Sequence, residues 1–176
     1  MLFRSHSLPG VIRTIVHDRL PQGPSFSIVG ERSTQMGHND FKLRINVAAE
    51  AGLGGFIGGS STLSAGGQIK PKPNPPFVLE MEAGCRPHEY AILYGILKAP
   101  TDTVLARISG TLQPLRRKRI PARLHAHGVL AYIALPTVPS ELLVRTPAGK
   151  TVFTEDLADR ARETKETCEG EAEGPG

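Results

Sequence analysis

The stretch Glu89-Tyr90-Ala91-Ile92-Leu93-Tyr94-Gly95-Ile96-Leu97 decides the fold of this chain. In a strand, successive side chains point to opposite faces of the sheet. The even-numbered positions would then place two tyrosines and two isoleucines on one face, and the odd-numbered positions would place alanine, leucine and glycine on the other. Neither set suits water, and Pro87 and Pro100 leave little room for a helix. The pattern predicts a central strand that is covered on both faces.

Strand-like segments recur along the rest of the chain, with glycine and proline between them. The segment 41–48 alternates apolar and polar residues and is the clearest half-buried strand. Pro147-Ala148-Gly149-Lys150 predicts the tight turn of a hairpin. Other strands are predicted at 11–16, 25–29, 77–82, 102–109, 128–135, 141–146 and 151–154.

About nine or ten strands at a spacing of roughly 10 residues are typical of an antiparallel β-sandwich, Ig-like or similar. The general style resembles small bacterial β-sandwich modules, a likeness at the level of fold only. In a simple sandwich each sheet has one face in the core and one in solvent, so a strand that is apolar on both faces needs something to cover its outer face. The long loop, the C-terminal helix or a partner chain would provide it.

The segments outside the strands differ in composition. Residues 1–24 predict an irregular lead-in, and the sandwich is expected to span 25–154. Within it, residues 51–76 are rich in Gly, Ser and Pro and predict a long loop, either a flexible insertion or a binding loop. A short helix is predicted at 155–168, followed by a disordered acidic tail at 169–176.

Charge is divided unevenly along the chain, whose net charge is +4. Residues 155–176 carry eight acids against three bases, a net charge of −5, which leaves +9 on residues 1–154. Thr154 suits a helix N-cap, and the acids after it suit a helix N-terminus. A basic body indicates an anionic partner, a body shielded by its own tail, or an ordinary solvated surface. The scarcity of aromatic residues, at 5% with no Trp, disfavours a sugar-binding or base-stacking platform.

Two cysteines, Cys85 and Cys168, bear on the cellular compartment. In an exported protein they would form one disulfide that pins the C-terminal segment to the body, whereas in the cytosol they would be two thiols. The N-terminal region shows no signal peptide and no membrane span, because Arg13 interrupts its apolar run. The protein is therefore expected to be cytoplasmic, or extracytoplasmic with its leader missing from this chain.

Familiar phosphate-binding and nucleophile motifs fail on spacing. Gly149-Lys150-Thr151 resembles the end of a P-loop, but Val144 stands where the first glycine is required. The glycine run at 52–58 has Ile57 where the third glycine of a dinucleotide fingerprint would lie, and no Gly-x-Ser-x-Gly elbow occurs. We accordingly expect no cofactor.

Two clusters carry chemical hypotheses. His125 and His127 would point to the same side of a strand and could bind zinc, with His88 or Glu89 as a third ligand. The other interpretation is that they are ordinary loop or strand-end histidines. Cys85 near His88 also admits a thiol nucleophile, beside a structural role for the cysteine.

The second cluster is the basic run Arg116-Arg117-Lys118-Arg119, which lies between Pro114 and Pro121. It predicts a hairpin tip or an exposed connection that could bind anions, although it is too short to indicate specific nucleic-acid recognition. The leading functional hypothesis is a non-enzymatic structural or macromolecule-binding domain at the cell envelope, presenting the loops 51–76 and 114–121 to another protein or to the envelope. The alternatives are a metal-dependent hydrolase using the histidines and a weak anion binder using the basic run.

Overall fold

The computed structural model describes residues 10–35, 38–48, 63–64, 75–124 and 126–172. Within these ranges the chain forms twelve strands, one 3-10 helix at Ala122–Leu124 and one α-helix. The elements are β1 (Val11–Arg19), β2 (Ser25–Gln35), β3 (His38–Val47), β4 (Leu63–Ser64), β5 (Phe77–Gly84), β6 (Tyr90–Leu97), β7 (Thr103–Ile108), β8 (Thr111–Pro114), β9 (Arg116–Arg119), β10 (Val129–Leu135), β11 (Glu141–Arg145), β12 (Thr151–Asp156) and α1 (Ala158–Ala172).

The strands form three antiparallel sheets of four strands each. Sheet I has the order β1-β2-β3-β4, sheet II the order β5-β6-β10-β9 and sheet III the order β12-β11-β7-β8. From β5 to β12 the chain passes between sheets II and III in pairs of strands, as in a sandwich, whereas sheet I is built entirely from the N-terminal part. The mainly β, antiparallel fold class is confirmed.

Strand β6 is the central strand that the sequence predicts. It lies between β5 and β10 in sheet II, and every one of its residues is buried. Its even-numbered side chains belong to a core shared with sheet I, and its odd-numbered side chains belong to a core shared with sheet III. Sheet II is therefore the middle layer between two separate hydrophobic cores.

Sheets cover both faces of β6, whereas the sequence analysis suggested the loop, the helix or a partner chain as the further cover. On one side, sheet I contributes buried side chains such as Phe26 and Ile28. On the other side, sheet III contributes Val104 and Leu142. The described part of the predicted lead-in is more regular than expected: β1 contains the predicted strand at 11–16, continues to Arg19 and pairs with β2 along its length.

Gly95 makes the close pairing of β5 and β6 possible. A Cβ atom at this position would lie 1.9 Å from the backbone oxygen of Val78 and 2.9 Å from the ring of Phe77. The atom in the way is a backbone oxygen, so a change of side-chain rotamer cannot relieve the steric clash. Glycine is required here for close approach and not for an unusual backbone angle.

Helix α1 begins three residues later than predicted, because β12 extends through Asp156. The backbone N–H of Ala158 donates to Asp156 Oδ1 at 2.9 Å, so Asp156 caps the helix in place of Thr154. At the other end the helix continues to Ala172, over residues 169–172 that were expected to be tail. No proline interrupts it there, and Gly170 has open space around its Cα.

Three further sequence predictions concern connections. Cys85 and Cys168, for which the sequence left a disulfide and two free thiols open, are joined by a disulfide, with their Cα atoms 5.1 Å apart. The turn at 147–150 joins β11 to β12, and Gly149 has a φ of 82°, which favours glycine. The predicted loop at 51–76 lies almost wholly outside the described residues.

Replacing either Ile92 or Leu93 by alanine should destabilise the protein strongly. Both side chains are fully buried, but they lie in different cores. We expect each substitution to lower the free energy of unfolding by about 2–5 kcal/mol, measured from urea denaturation. An unchanged denaturation midpoint for either variant would contradict the burial of that face.

The substitution Gly95→Ala should also be destabilising, although it adds only one methyl group. We expect a loss of about 1–3 kcal/mol or more in the free energy of unfolding, because β5 must move away from β6. Gly170→Ala is the matched control, since its Cβ meets no other atom and alanine favours helix. If the two substitutions changed the free energy of unfolding equally, the close approach of β5 to Gly95 would not be what requires glycine there.

Candidate anion-binding site

The basic run forms an edge strand. Residues Arg116–Arg119 are β9, which pairs with β10 on one side and ends sheet II on the other. All four side chains are exposed. The sequence predicted a hairpin tip or connection here, and the difference matters because a strand fixes the direction of each side chain.

The cationic side chains project from both faces of this edge. Arg116 and Lys118 lie opposite Tyr132 and Leu130, which face sheet I. Arg117 and Arg119 alternate with them and therefore face sheet III.

Buried residues hold β9 in place at both of its ends. Leu115, immediately before the strand, lies in the core between sheets II and III, and its N–H donates to the carbonyl oxygen of Val104. Ile120, immediately after the strand, lies in the core between sheets I and II. The exposed run is thus stretched between two anchors in different cores, so its backbone position is set by the scaffold.

The first two cations also make specific contacts. Arg116 Nη1 donates to Asp18 Oδ2 at 2.6 Å, and Arg117 Nη1 donates to the carbonyl oxygen of Pro100 at 2.7 Å. A hydrogen bond with Tyr132 and the nearby carboxylate of Asp18 raise the pKa of Arg116. These exposed contacts orient the guanidinium groups and contribute little stability.

Three other cations extend the positive surface. Lys118 and Arg119 in β9 and Arg123 in the 3-10 helix are exposed, and none forms an ion pair with a described residue. We call Arg116–Arg119 together with Arg123 the basic edge. Within the part of the chain that the structure describes, Asp18 is the one carboxylate paired with it.

Asp18 and Arg123 were missed by the sequence analysis. Asp18 is 98 positions from Arg116 in the chain, and no local pattern indicates that β1 and β9 meet. Arg123 could have been found as the next cation after the run, but its exposure depends on the turn formed by Ala122–Leu124.

The structure places His88 and His127, two of the three histidines in the metal hypothesis, far apart. His88 precedes the first residue of β6, whereas His127 is near Val129, which pairs with the last residue of β6. The two are therefore at opposite ends of an eight-residue strand. Glu89 accepts a hydrogen bond from Thr137 Oγ1 at 2.6 Å.

The metal hypothesis as a whole remains a prediction, because His125 lies outside the described residues. Among the residues that are described, no group of three metal-ligating side chains occurs. The thiol hypothesis does not survive, because the sulfur of Cys85 is bonded to Cys168 and has no thiolate.

A shallow depression lies near His88. It is lined by residues that include Leu20, Pro87 and Pro136, and its volume of about 20 Å³ accommodates roughly one water molecule. The depression is too small for an organic substrate, so it adds no second candidate site.

Two ionisable groups of sheet II have pKa values displaced by burial. The pKa of Glu80 on β5 is raised by desolvation, which the positive charge of Arg160 on α1 partly offsets. The pKa of Tyr90 is raised by desolvation and by the nearby carboxylate of Glu82. Both groups lie at the β5 side of sheet II, away from the basic edge.

Comparisons with protein-family models, with curated proteins and with solved structures gave no match for this chain. No helix in the described residues is both long enough and apolar enough to cross a membrane.

Glu80→Gln should change the pH dependence of stability. The folded-state pKa of Glu80 is raised above its ordinary value of 4.5, so its contribution favours folding at low pH and is lost as pH rises through the raised pKa. The stability of Glu80→Gln relative to the original protein should therefore increase between about pH 4 and pH 7, as measured by urea denaturation. Glu163→Gln on the exposed face of α1 is the control. A pH-independent difference for Glu80→Gln would contradict the burial of the carboxylate.

Proposed function

We propose that this protein is a non-enzymatic binding domain that holds an anionic macromolecule against its basic edge. The observation that carries the proposal is the placement of four consecutive cationic side chains, all exposed, on an edge strand whose ends are anchored in two different cores. Such a scaffold presents charge in a fixed arrangement, so little conformational entropy is lost on binding.

The arrangement favours recognition of charge over recognition of sequence. Arginine presents several N–H donors to phosphate, sulfate or carboxylate oxygens, and cations on both faces of β9 can contact anions on either side of the strand. Aromatic side chains that could stack on bases are absent from β9 and from the 3-10 helix after it. The partner class is therefore a linear polyanion that is bound through its backbone charges.

The expected binding is weak and sensitive to salt. If three cations neutralise phosphates of a duplex nucleic acid, the logarithm of the affinity should fall with the logarithm of the salt concentration with a slope of roughly 3. A sulfated polysaccharide should show the same direction of change, because the released counterions are the common cause.

A second explanation for the basic run is protection of the sheet edge. Charged residues on a short edge strand prevent another sheet from pairing with it, whether or not a ligand binds. Charge reversal separates the two explanations, because glutamates at the same positions would still oppose edge pairing but would repel an anion.

The double variant Lys118→Glu/Arg119→Glu should elute from a heparin column at a clearly lower salt concentration than the original protein. Its matched control is Lys150→Glu/Arg162→Glu, which changes the net charge equally at exposed positions of the β11–β12 turn and α1. The control should elute close to the original protein. If both variants eluted at equally lowered salt concentrations, net charge alone would explain heparin binding, and a binding site at the basic edge would be refuted.

Asp18→Asn should act in the opposite direction. The substitution removes the carboxylate that pairs with Arg116, which frees the guanidinium and adds one unit of positive charge next to β9. We expect retention on heparin to increase, with only a small change in the free energy of unfolding because the ion pair is exposed. Reduced retention would show that the Arg116–Asp18 contact is needed to present the edge.

A further inference from the structure

Helix α1 closes one side of the sandwich formed by sheets II and III. At the other side the chain runs directly from β8 into β9, so the two sheets are joined there by Leu115. The opposite edge strands are β5 and β12, and α1 follows β12 and contacts β5. Ala161 of α1 packs against the same core as residues of β5 and β12.

The helix is held by very little apolar contact. None of its residues is buried, and the least exposed ones, Ala161, Thr164 and Cys168, form a narrow stripe along one side. Leu157, which is fully buried, lies just before the helix, and its N–H donates to the carbonyl oxygen of Ser140. Leu157 thus attaches the start of the helix to sheet III, whatever holds the remainder of the helix.

Two further non-covalent attachments between described residues are exposed or remote. The ion pair between Arg86 and Glu171 has a distance of 3.6 Å between exposed side chains, and Arg160 attracts Glu80 electrostatically. The pairs Arg162–Asp159 and Lys165–Glu169 lie within the helix and cannot dock it. A helix of this length without an apolar face is only marginally stable by itself.

The disulfide is the strong attachment, and its position is informative. Cys85 immediately follows β5, and Cys168 lies near the C-terminal end of α1, so the bond fixes the end of the helix that is farthest from Leu157. The bond joins the helix to sheet II, whereas Leu157 joins it to sheet III.

We propose that the Cys85–Cys168 disulfide is a redox latch that keeps α1 on the β5/β12 side of the sandwich. A dithiol reductant would transfer two electrons and two protons to the sulfur–sulfur bond, giving one thiol on each cysteine while the reductant forms its own disulfide. Helix α1 would then leave the sandwich, and sheets I, II and III would stay folded because α1 places no fully buried side chain in either core.

Release would uncover partly buried apolar residues of the edge strands. They are Leu79, Met81 and Ala83 on β5 and Phe153 on β12. The same step would remove Arg160 from the neighbourhood of Glu80. The latch therefore controls the exposure of an apolar sheet edge, a property separate from the anion binding proposed for β9.

Hydrogen exchange followed by mass spectrometry on the full chain, with and without dithiothreitol, tests the latch. On reduction, the amides of 158–172 should exchange roughly tenfold faster or more, whereas β6 and β10 should be unchanged because sheet II stays folded. Unchanged protection of α1 would refute the latch. Loss of protection throughout the chain would also refute it, because the disulfide would then be a staple for the whole fold.

Two variants complete the test. Cys85→Ser/Cys168→Ser should show the exchange pattern of the reduced protein under both conditions, and Arg86→Ala should keep α1 protected as long as the disulfide is intact. Rapid exchange of α1 in oxidised Arg86→Ala would assign the attachment to the ion pair and overturn the proposal. If the serine variant does not fold, comparison of the reduced and oxidised original protein decides the question alone.

Discussion

The burial of β6 on both of its faces is the constraint on which the rest of the structure depends. A strand without a polar face must lie in the interior of a sheet and must have a packed layer above and below it. In this chain the need is met by two further sheets, one from the N-terminal part and one from the segments that alternate with sheet II. The result is three layers and two cores, with β6 and its neighbour β10 contributing to both.

A sheet that is covered on both faces meets solvent mainly at its edges, and the two edges of sheet II are treated differently. The β5 edge is protected by α1, which is attached covalently through Cys168. The β9 edge is protected by charge, with four exposed cations in sequence. Either arrangement would oppose unwanted strand pairing, and the charged edge is the one that we propose as a binding surface for an anionic partner.

The geometry of the basic edge depends on the crossing from sheet III to sheet II. Leu115 and Ile120 are buried in different cores, and the residues between them have to span the border of the middle layer. Their side chains therefore alternate between the two covering sheets, which explains why Arg116 reaches Asp18 on one side and Arg117 reaches Pro100 on the other. Placement of charge in this protein is a consequence of how its cores are built.

The sequence by itself determined the central strand, most of the other strands, the hairpin turn at Gly149 and the presence of a C-terminal helix, and it offered a Cys85–Cys168 disulfide as one of two alternatives that the structure decided. These features have local causes, such as alternation of apolar residues, turn-forming residues and a cysteine count of two. Only the tertiary structure decided that sheets cover β6, that β9 is an edge strand, that Asp18 pairs with Arg116 and that His88 and His127 lie apart. Each of these depends on contacts between residues distant in the chain, which no local pattern encodes.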